Sequence, residues 1–484
     1  MINMDEISQK LQDNLNYIEG LFEKSVDFTK RKFKICGTDA VLFSLDGMVN
    51  KQHISISILN PIMSAPVLEF TGEEKMKFLA DEVLGAVEQI KITKTADIIE
   101  KMMAGFAVLL LDDCSYGLAF GVQGFEKRSV NEPDNETMQA GSREGFVESY
   151  QTNISLIRRR MKNTDLKFER VYVGSESKTP IAICYLKSQV SDEILRKVKN
   201  ELNICDLKSV MAAGYIAGYI KKSSLFGNAG TTQRPDTVCG KIAEGRVAVI
   251  VDGTPTVLIV PHLFVENFQT LDDYATRPFY ATAARWLRYI AFFVAVFLPG
   301  TYIAVVVHRP ELLPDTLMIK IAVEEAKTPF TIMWELLLVL LLYEIMREAG
   351  LRAPRVLSQS VSIVGALVIG DTAVQSGIIG APSLMVIASA AIAGYAVPKM
   401  AEQISVLRLV LIVVGGLFGP WGMALAAVAL VFNVTSEESY GIPLTSPVSP
   451  FSIKYMRDVL LRAPWKVLSR RTDDVQNYPG SKKQ

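Results

Sequence analysis

Three carboxylates stand where carboxylates are expensive. Glu335 and Glu344 fall within the apolar run 330–345, and Asp371 is the only charged residue between Val361 and Val397. An ionised carboxylate at bilayer depth costs about 3 kcal/mol on insertion scales, so it normally faces water, a cation or a partner. Carboxylate rings line the pathways and gates of cation channels. Glu335, Asp371 and Glu344 are therefore candidates to line or gate a cation path, with Gln375 four residues after Asp371 on the same helix face. The competing reading places Glu344 at the interface beside Arg347 and lets Glu335 snorkel or pair. Gly365, Ala366 and Gly370 are small enough to let helices approach closely, which favours packing over direct pore lining.

No catalytic constellation accompanies them. His53, His262 and His308 are scattered, which excludes HExxH zinc sites and two-histidine metal clusters. Gly240-Lys241 is followed by isoleucine, so there is no phosphate loop, and neither GxGxxG before a helix nor a GxSxG elbow occurs. An enzyme is not expected, nor is a cofactor or a metal. Between residues 132 and 160, Glu132, Glu136, Arg143, Glu144 and Glu148 alternate in sign with Arg158, Arg159 and Arg160, flanked by Pro133 and Asn153. Such a cluster is either a solvated intramolecular network or an intersubunit contact that transmits a signal.

The elements that must position these residues divide the chain in two. Over 484 residues, 51 basic residues balance 51 acidic ones, which excludes a uniformly basic nucleic-acid coat. Residues 1–284 are nevertheless mildly acidic and 285–484 mildly basic, and no charge occurs between Leu409 and Ser436. Trp286–Val307, Phe330–Ile345, 361–397 and 406–433 are the apolar stretches, and about 20 apolar residues cross a bilayer. Breaks at Gly380-Ala-Pro382 and Gly419-Pro420 allow the last two to be hairpins, giving four to six crossings. Arg277, Arg285 and Arg288 place the start of the first span inside by the positive-inside rule. Arg347, Arg352 and Arg355 do the same for the second loop, Lys399 and Arg408 for the next, and six basic residues from Lys454 to Arg471 for the tail. That tail sets topology or touches anionic membrane lipids.

The first part reads as α/β and cytoplasmic. All five cysteines precede residue 240 without a CxxC pair, and the start lacks a signal peptide pattern. Helices are expected at Asp5–Lys30, Glu73–Ala86, Ala96–Met103 and Asp192–Leu202, and strands at Phe168–Gly174 and Pro180–Leu186. Gly105–Val122 and Gly245–Val260 read as two related hairpins, hence two subdomains. The resulting division is 1–222 soluble α/β, 223–284 linker, hairpin and pre-membrane segment, 285–435 transmembrane helices and 436–484 basic cytoplasmic tail.

One stretch is more specific. Asn131-Glu-Pro-Asp-Asn-Glu-Thr-Met-Gln-Ala-Gly-Ser-Arg-Glu-Gly-Phe-Val-Glu148, with Asn153 and Leu156-Ile-Arg-Arg-Arg160, resembles the signature of GerA-type spore germination receptor A subunits. Similarity continues at Arg246–Asp252, Pro310–Pro314, Arg347–Pro354, Val364–Gly370 and Ala396–Pro398. Met138-Gln139-Ala140 departs from the family, which commonly has an arginine before the glycine. The resemblance implies a multi-pass subunit of the spore inner membrane with its N-terminal region on the core side. It further implies a homo-oligomer, expected as a pentamer, that forms a ligand-gated ion channel. The implied partners are a transporter-like B subunit and a lipoprotein C subunit. The alternatives are a non-conducting scaffold that couples a sensor to other proteins, and the paralogous stage V sporulation AF type.

Overall fold

The computed structural model describes residues 5–66, 70–84, 88–124, 136, 138, 141–220, 225–352, 354, 370, 372–468 and 474–481. The N-terminal region holds two five-stranded antiparallel sheets. The first contains β1 (Phe28–Ile35), β2 (Thr38–Leu45), β3 (Gln89–Ile92), β4 (Ala107–Leu111) and β5 (Gly117–Phe120), in the order β1-β2-β4-β5-β3. The second contains β6 (Leu166–Val173), β7 (Thr179–Leu186), β8 (Gly230–Thr232), β9 (Val247–Val251) and β10 (Val257–Val260), in the order β6-β7-β9-β10-β8. The permutation is the same in both.

The likeness extends to single side chains. Helices α1 (Leu11–Leu21) and α2 (Thr95–Met103) flank the first sheet; α3 (Tyr150–Arg160), α4 (Asp192–Ile204) and α5 (Pro235–Ala243) flank the second. Asp112, just after β4, accepts from the first amide of α1 (Leu11 N, 2.9 Å), and Asp252, just after β9, accepts from that of α3 (Tyr150 N, 3.1 Å). A carboxylate there satisfies an amide that has no partner within its helix and suits the positive helix end. Asn14 closes a ring onto the backbone of Ser8 (2.9 and 2.6 Å), and Asn153 closes the same ring onto Val147 (2.8 and 2.6 Å). The two subdomains are therefore copies of one design, and the related hairpins are its core strands.

Two boundaries differ from expectation. The helix anticipated over Asp5–Lys30 ends at Leu21, and Phe28 opens β1, an edge strand whose Lys30, Arg31, Lys32 and Lys34 discourage further pairing. The polar linker of residues 223–235 contributes β8, which pairs with β10. Its threonines serve as an edge strand, a role that composition alone does not reveal.

The helical part comprises α6 (Pro278–His308), α7 (Asp315–Glu325), α8 (Ile332–Arg352), α9 (Ala381–Tyr395) and α10 (Ala401–Ser436). Among the described residues two helical stretches, Pro278–His308 and Pro398–Ser436, are long and apolar enough to cross a membrane by length and composition, fewer than the four to six expected. The reasons are local: α8 carries Glu335, Glu344, Arg347, Glu348 and Arg352, and α9 has 15 residues. The second long stretch doubles back. A Cβ on Gly300 would lie 2.6 Å from the Leu411 carbonyl and 2.9 Å from the Met423 side chain. Twelve residues of straight helix would hold those positions about 18 Å apart. The reversal is at Gly419, with φ 61° and ψ −152°, followed by Pro420. Only glycine adopts that backbone readily.

The tail is not a free basic segment. Tyr440, Ile442, Val459 and Val475 are buried in the core of the second subdomain, and Phe264 N donates to Leu444 O at 2.9 Å. N-terminal region and tail thus lie at one end of the helices, here termed the near end.

Candidate functional site

The sequence candidates separate into three places. In the soluble part, Arg158 is fully buried and donates through Nε and Nη2 to Asp27 (2.8 and 3.0 Å), while Nη1 reaches the carbonyls of Asn163 and Leu166. Asp27 belongs to the loop between α1 and β1, so this pair clasps the two subdomains together. The nearby backbone does the same, with Val26 N donating to Phe168 O at 2.9 Å. Arg158 therefore faces the interior of its own chain and presents no surface to a partner.

The rest of the cluster folds onto the segment before α3. Glu144 pairs with Arg159 and, at 2.6 Å, with Arg160, whose Nη2 also donates to Ser142. Against the upward push of burial, those two guanidinium groups hold the Glu144 carboxyl below its usual range. Glu136 accepts from Thr232 Oγ1 (2.6 Å) and Gln233 N (2.9 Å). Arg143 and Glu148 are exposed, and Glu132 and Pro133 lie outside the described residues. Arg234, which sequence reasoning passed over, binds Asp236 and the carbonyls of Glu136 and Ser142. Its position just ahead of Pro235, at the start of α5, is the one local signal that could have marked it.

A second set of charges sits where the soluble part meets the helices. Arg246, at the start of β9, and Lys241 converge on buried Glu266, whose other oxygen lies 3.0 Å from His262. Burial raises a carboxyl, but Arg246, Lys241 and His262 hold Glu266 well below its ordinary range. Next to it, Phe264 and Phe268 pack edge-on against Phe292 of α6, and Phe268 stacks on Tyr289 at 4.2 Å. Asp273 then binds Arg285 (3.0 Å) and Arg288 (2.9 Å) in the first turns of α6, and Arg285 reaches Asp458 of the tail at 2.9 Å. Sheet, pre-membrane segment, α6 and tail form one connected body.

The third place is the far end of the helices. Glu344 pairs with Arg347 at 2.7 Å near the other end of α8. Glu335 differs: it is fully buried, and neither oxygen has a hydrogen-bond partner among the described residues. A Cβ built on Gly380 would lie 3.3 Å from its Oε2 and 3.7 Å from Oε1 of Glu325, so both carboxylates border one small space. Burial, and then Glu335, push the Glu325 carboxyl up to about 7. Gln375 is exposed, Gly370 has open space around its Cα, and Gly365, Ala366 and Asp371 lie outside the described residues. Among the described residues close helix approach is seen at Gly300 and Gly415: a Cβ on Gly415 would sit 2.3 Å from the Gly300 carbonyl. The small residues of Pro299-Gly300 and Gly415-Gly416 were the available signal.

A family described as "Bacillus/Clostridium GerA spore germination protein" matches residues 16–474. The chain belongs to the GerA family. It is 36% identical over 477 residues to spore germination protein KA of Bacillus subtilis (strain 168), covering 97% of this chain and 87% of that protein. It is also 34% identical over 485 residues to the membrane protein YfkQ of the same organism, covering 98% and 93%. The crystal structure of the N-terminal domain of the A subunit of the Bacillus megaterium spore germinant receptor GerK3 superposes with a TM-score of 0.44 at 23% identity, covering 54% of this chain and 98% of that one. As a GerA family member the chain is a spore germination membrane protein and not an enzyme.

Proposed function

We propose that the chain is the A subunit of a nutrient-germinant receptor of the spore inner membrane, and that copies assemble, as a pentamer, into a ligand-gated ion channel that releases ions at the start of germination. Its partners in this reading are a transporter-like B subunit and a lipoprotein C subunit. The observation that favours the channel over a non-conducting scaffold is Glu335: it is a buried carboxylate among apolar helices with no hydrogen-bond partner among the described residues, and ionisable residues in such helices mark ion pathways. Asp371 is proposed to serve the same path.

The positions of the described helix ends support a multi-pass arrangement with the soluble part inside. α6 and the first limb of α10 run away from the near end, while α8, α9 and the second limb run back to it. Arg347 donates to Ser405 at the near end, and the Gly377 position meets the Lys327 carbonyl at the far one. Arg277, Arg285, Arg288 and Lys399 gather at the near end, as the positive-inside rule requires of the cytoplasmic side. The body built on Glu266, Phe268 and Asp273 supplies the route by which a change in the soluble part reaches α6.

Ion flux through purified oligomers in liposomes tests this reading. Gated flux in the wild type, reduced in Glu335→Ala and Asp371→Ala, supports it; intact oligomers that carry no flux under any gating condition leave the scaffold reading. The stage V AF-type alternative is distinguished by which B and C subunits co-purify from spores.

A further inference from the structure

Glu335 is not alone in lacking a partner. Tyr302 of α6, Glu325 of α7 and Ser383 of α9 each bury a side-chain oxygen with no hydrogen-bond partner among the described residues, and Glu335 of α8 buries two. Ser383 is fully buried, one turn after Gly380, and its hydroxyl lies beside both Tyr302 and Glu325. Gly380 contributes the absence of a side chain, since a methyl group there would crowd Glu335 Oε2 at 3.3 Å and touch Glu325 Oε1 at 3.7 Å. Four helices therefore bring two carboxylates and two hydroxyls together around Gly380. Lys327, the nearest cation along the chain, is engaged by Glu324 at 2.6 Å.

A fully buried carboxylate with a half-buried one beside it needs a counter-charge. A proton shared between them would supply part of it. The hydroxyls argue for more: Ser383 and Tyr302 lie beside the carboxylates, yet neither makes a well-formed hydrogen bond among the described residues. Carboxylate and hydroxyl oxygens without nitrogen or sulfur are the donor set of hard cations. Access exists, since Tyr302 also lines a cavity of about 720 Å³ between α7 and α9, walled by Leu317, Ile321, Pro382 and Met385 with Lys320 and Glu324 at its edge.

We infer that Glu325, Glu335, Ser383 and Tyr302 form a binding site for a hard cation inside each protomer. The inference rests on the channel reading for its physiological meaning but not for its chemistry. Occupancy ties α6, α7, α8 and α9 together at the far end of the bundle, so the bound ion braces the same helices that a path would run beside.

The test is equilibrium binding of radiolabelled calcium, and separately of rubidium as a potassium surrogate, to the full-length oligomer in detergent. Saturable binding of either ion is expected, lost in Glu335→Gln and weakened about ten- to a hundredfold in Ser383→Ala, a change too small to threaten folding. Wild-type protein that binds neither ion, or undiminished binding in both variants, overturns the site. A melting temperature that depends on pH but on neither ion assigns the pocket to a shared proton and also overturns it. Conductance without binding removes this inference and leaves the channel; binding without conductance does the reverse.

Discussion

Replacing Asp27 by asparagine leaves the shape of the subdomain clasp almost unchanged and removes its charge. The Arg158 guanidinium would then remain fully buried, with the Asn163 and Leu166 carbonyls at 3.0 and 3.2 Å and the Phe168 ring at 4.9 Å as its remaining company. Breaking a buried pair by removing one partner costs about 3–5 kcal/mol, because the other charge stays desolvated. Even the lower figure multiplies the opening equilibrium about a hundredfold. The four tryptophans, Trp286, Trp334, Trp421 and Trp465, all lie in the helical part and tail, so fluorescence would miss the event. Hydrogen exchange of the full-length protein, read on peptides covering residues 20–30 and β6, sees it directly: exchange there should rise by about two orders of magnitude while α6 is unchanged. Asp27→Asn combined with Arg158→Met should recover most of the loss, since removing both charges also removes the stranded one. A single-variant effect below about 1 kcal/mol, or a double variant as damaged as the sum of its parts, would refute the clasp. By the same reasoning Arg158→Glu reports on folding before it reports on signalling.

Other outcomes follow from the same geometry. Gly419→Ala forces a side chain into a glycine-only conformation and toward the His308 ring, 2.8 Å from the added carbon; it should lower thermal stability by at least 1–3 kcal/mol, and an unchanged melting temperature would refute the reversal. Glu266 has a lowered folded-state pKa, so its stabilisation is present above the ordinary carboxylate range and lost as pH falls below it; Glu266→Gln should flatten the acid limb of the melting curve against pH. Glu325 has the opposite sign. In cation-free buffer its pKa is raised from 4.5 to about 7, so its contribution is full below 4.5 and lost as pH rises through 7, and Glu325→Gln should abolish that loss. Asn14→Ala and Asn153→Ala remove equivalent rings and should each cost about 1–3 kcal/mol, with exchange rising in the first subdomain for one and the second for the other.

The sequence carried the membrane half in its charge vacancies and the hairpins in their apolar runs. Gly419-Pro420 was legible as a break because glycine and proline act on the local backbone, which needs no knowledge of neighbours. The equivalence of Asp112 with Asp252, or of Asn14 with Asn153, was not legible: each bond joins a side chain to an amide brought near only by the fold. Arg158 illustrates the same limit. Its charge is plain, but whether it meets Asp27 of its own chain, 131 residues away, or a partner depends on the docking of two sheets. Glu335 was singled out by its cost in an apolar stretch. Its companions Glu325, Ser383 and Tyr302 were not, since a hydroxyl in a membrane helix is ordinary and Glu325 stands beside Glu324 outside the apolar runs.

The central claim is that a carboxylate buried among apolar helices serves cation conduction. Reversal potentials of purified oligomers in a planar bilayer, under a gradient of potassium chloride, test it most directly. A gated, cation-selective conductance is expected, with selectivity or amplitude clearly reduced in Glu335→Gln. A conductance that is anion-selective, or identical in wild type and variant, would contradict the role of Glu335, and silence of the intact oligomer under every gating condition would contradict the channel itself.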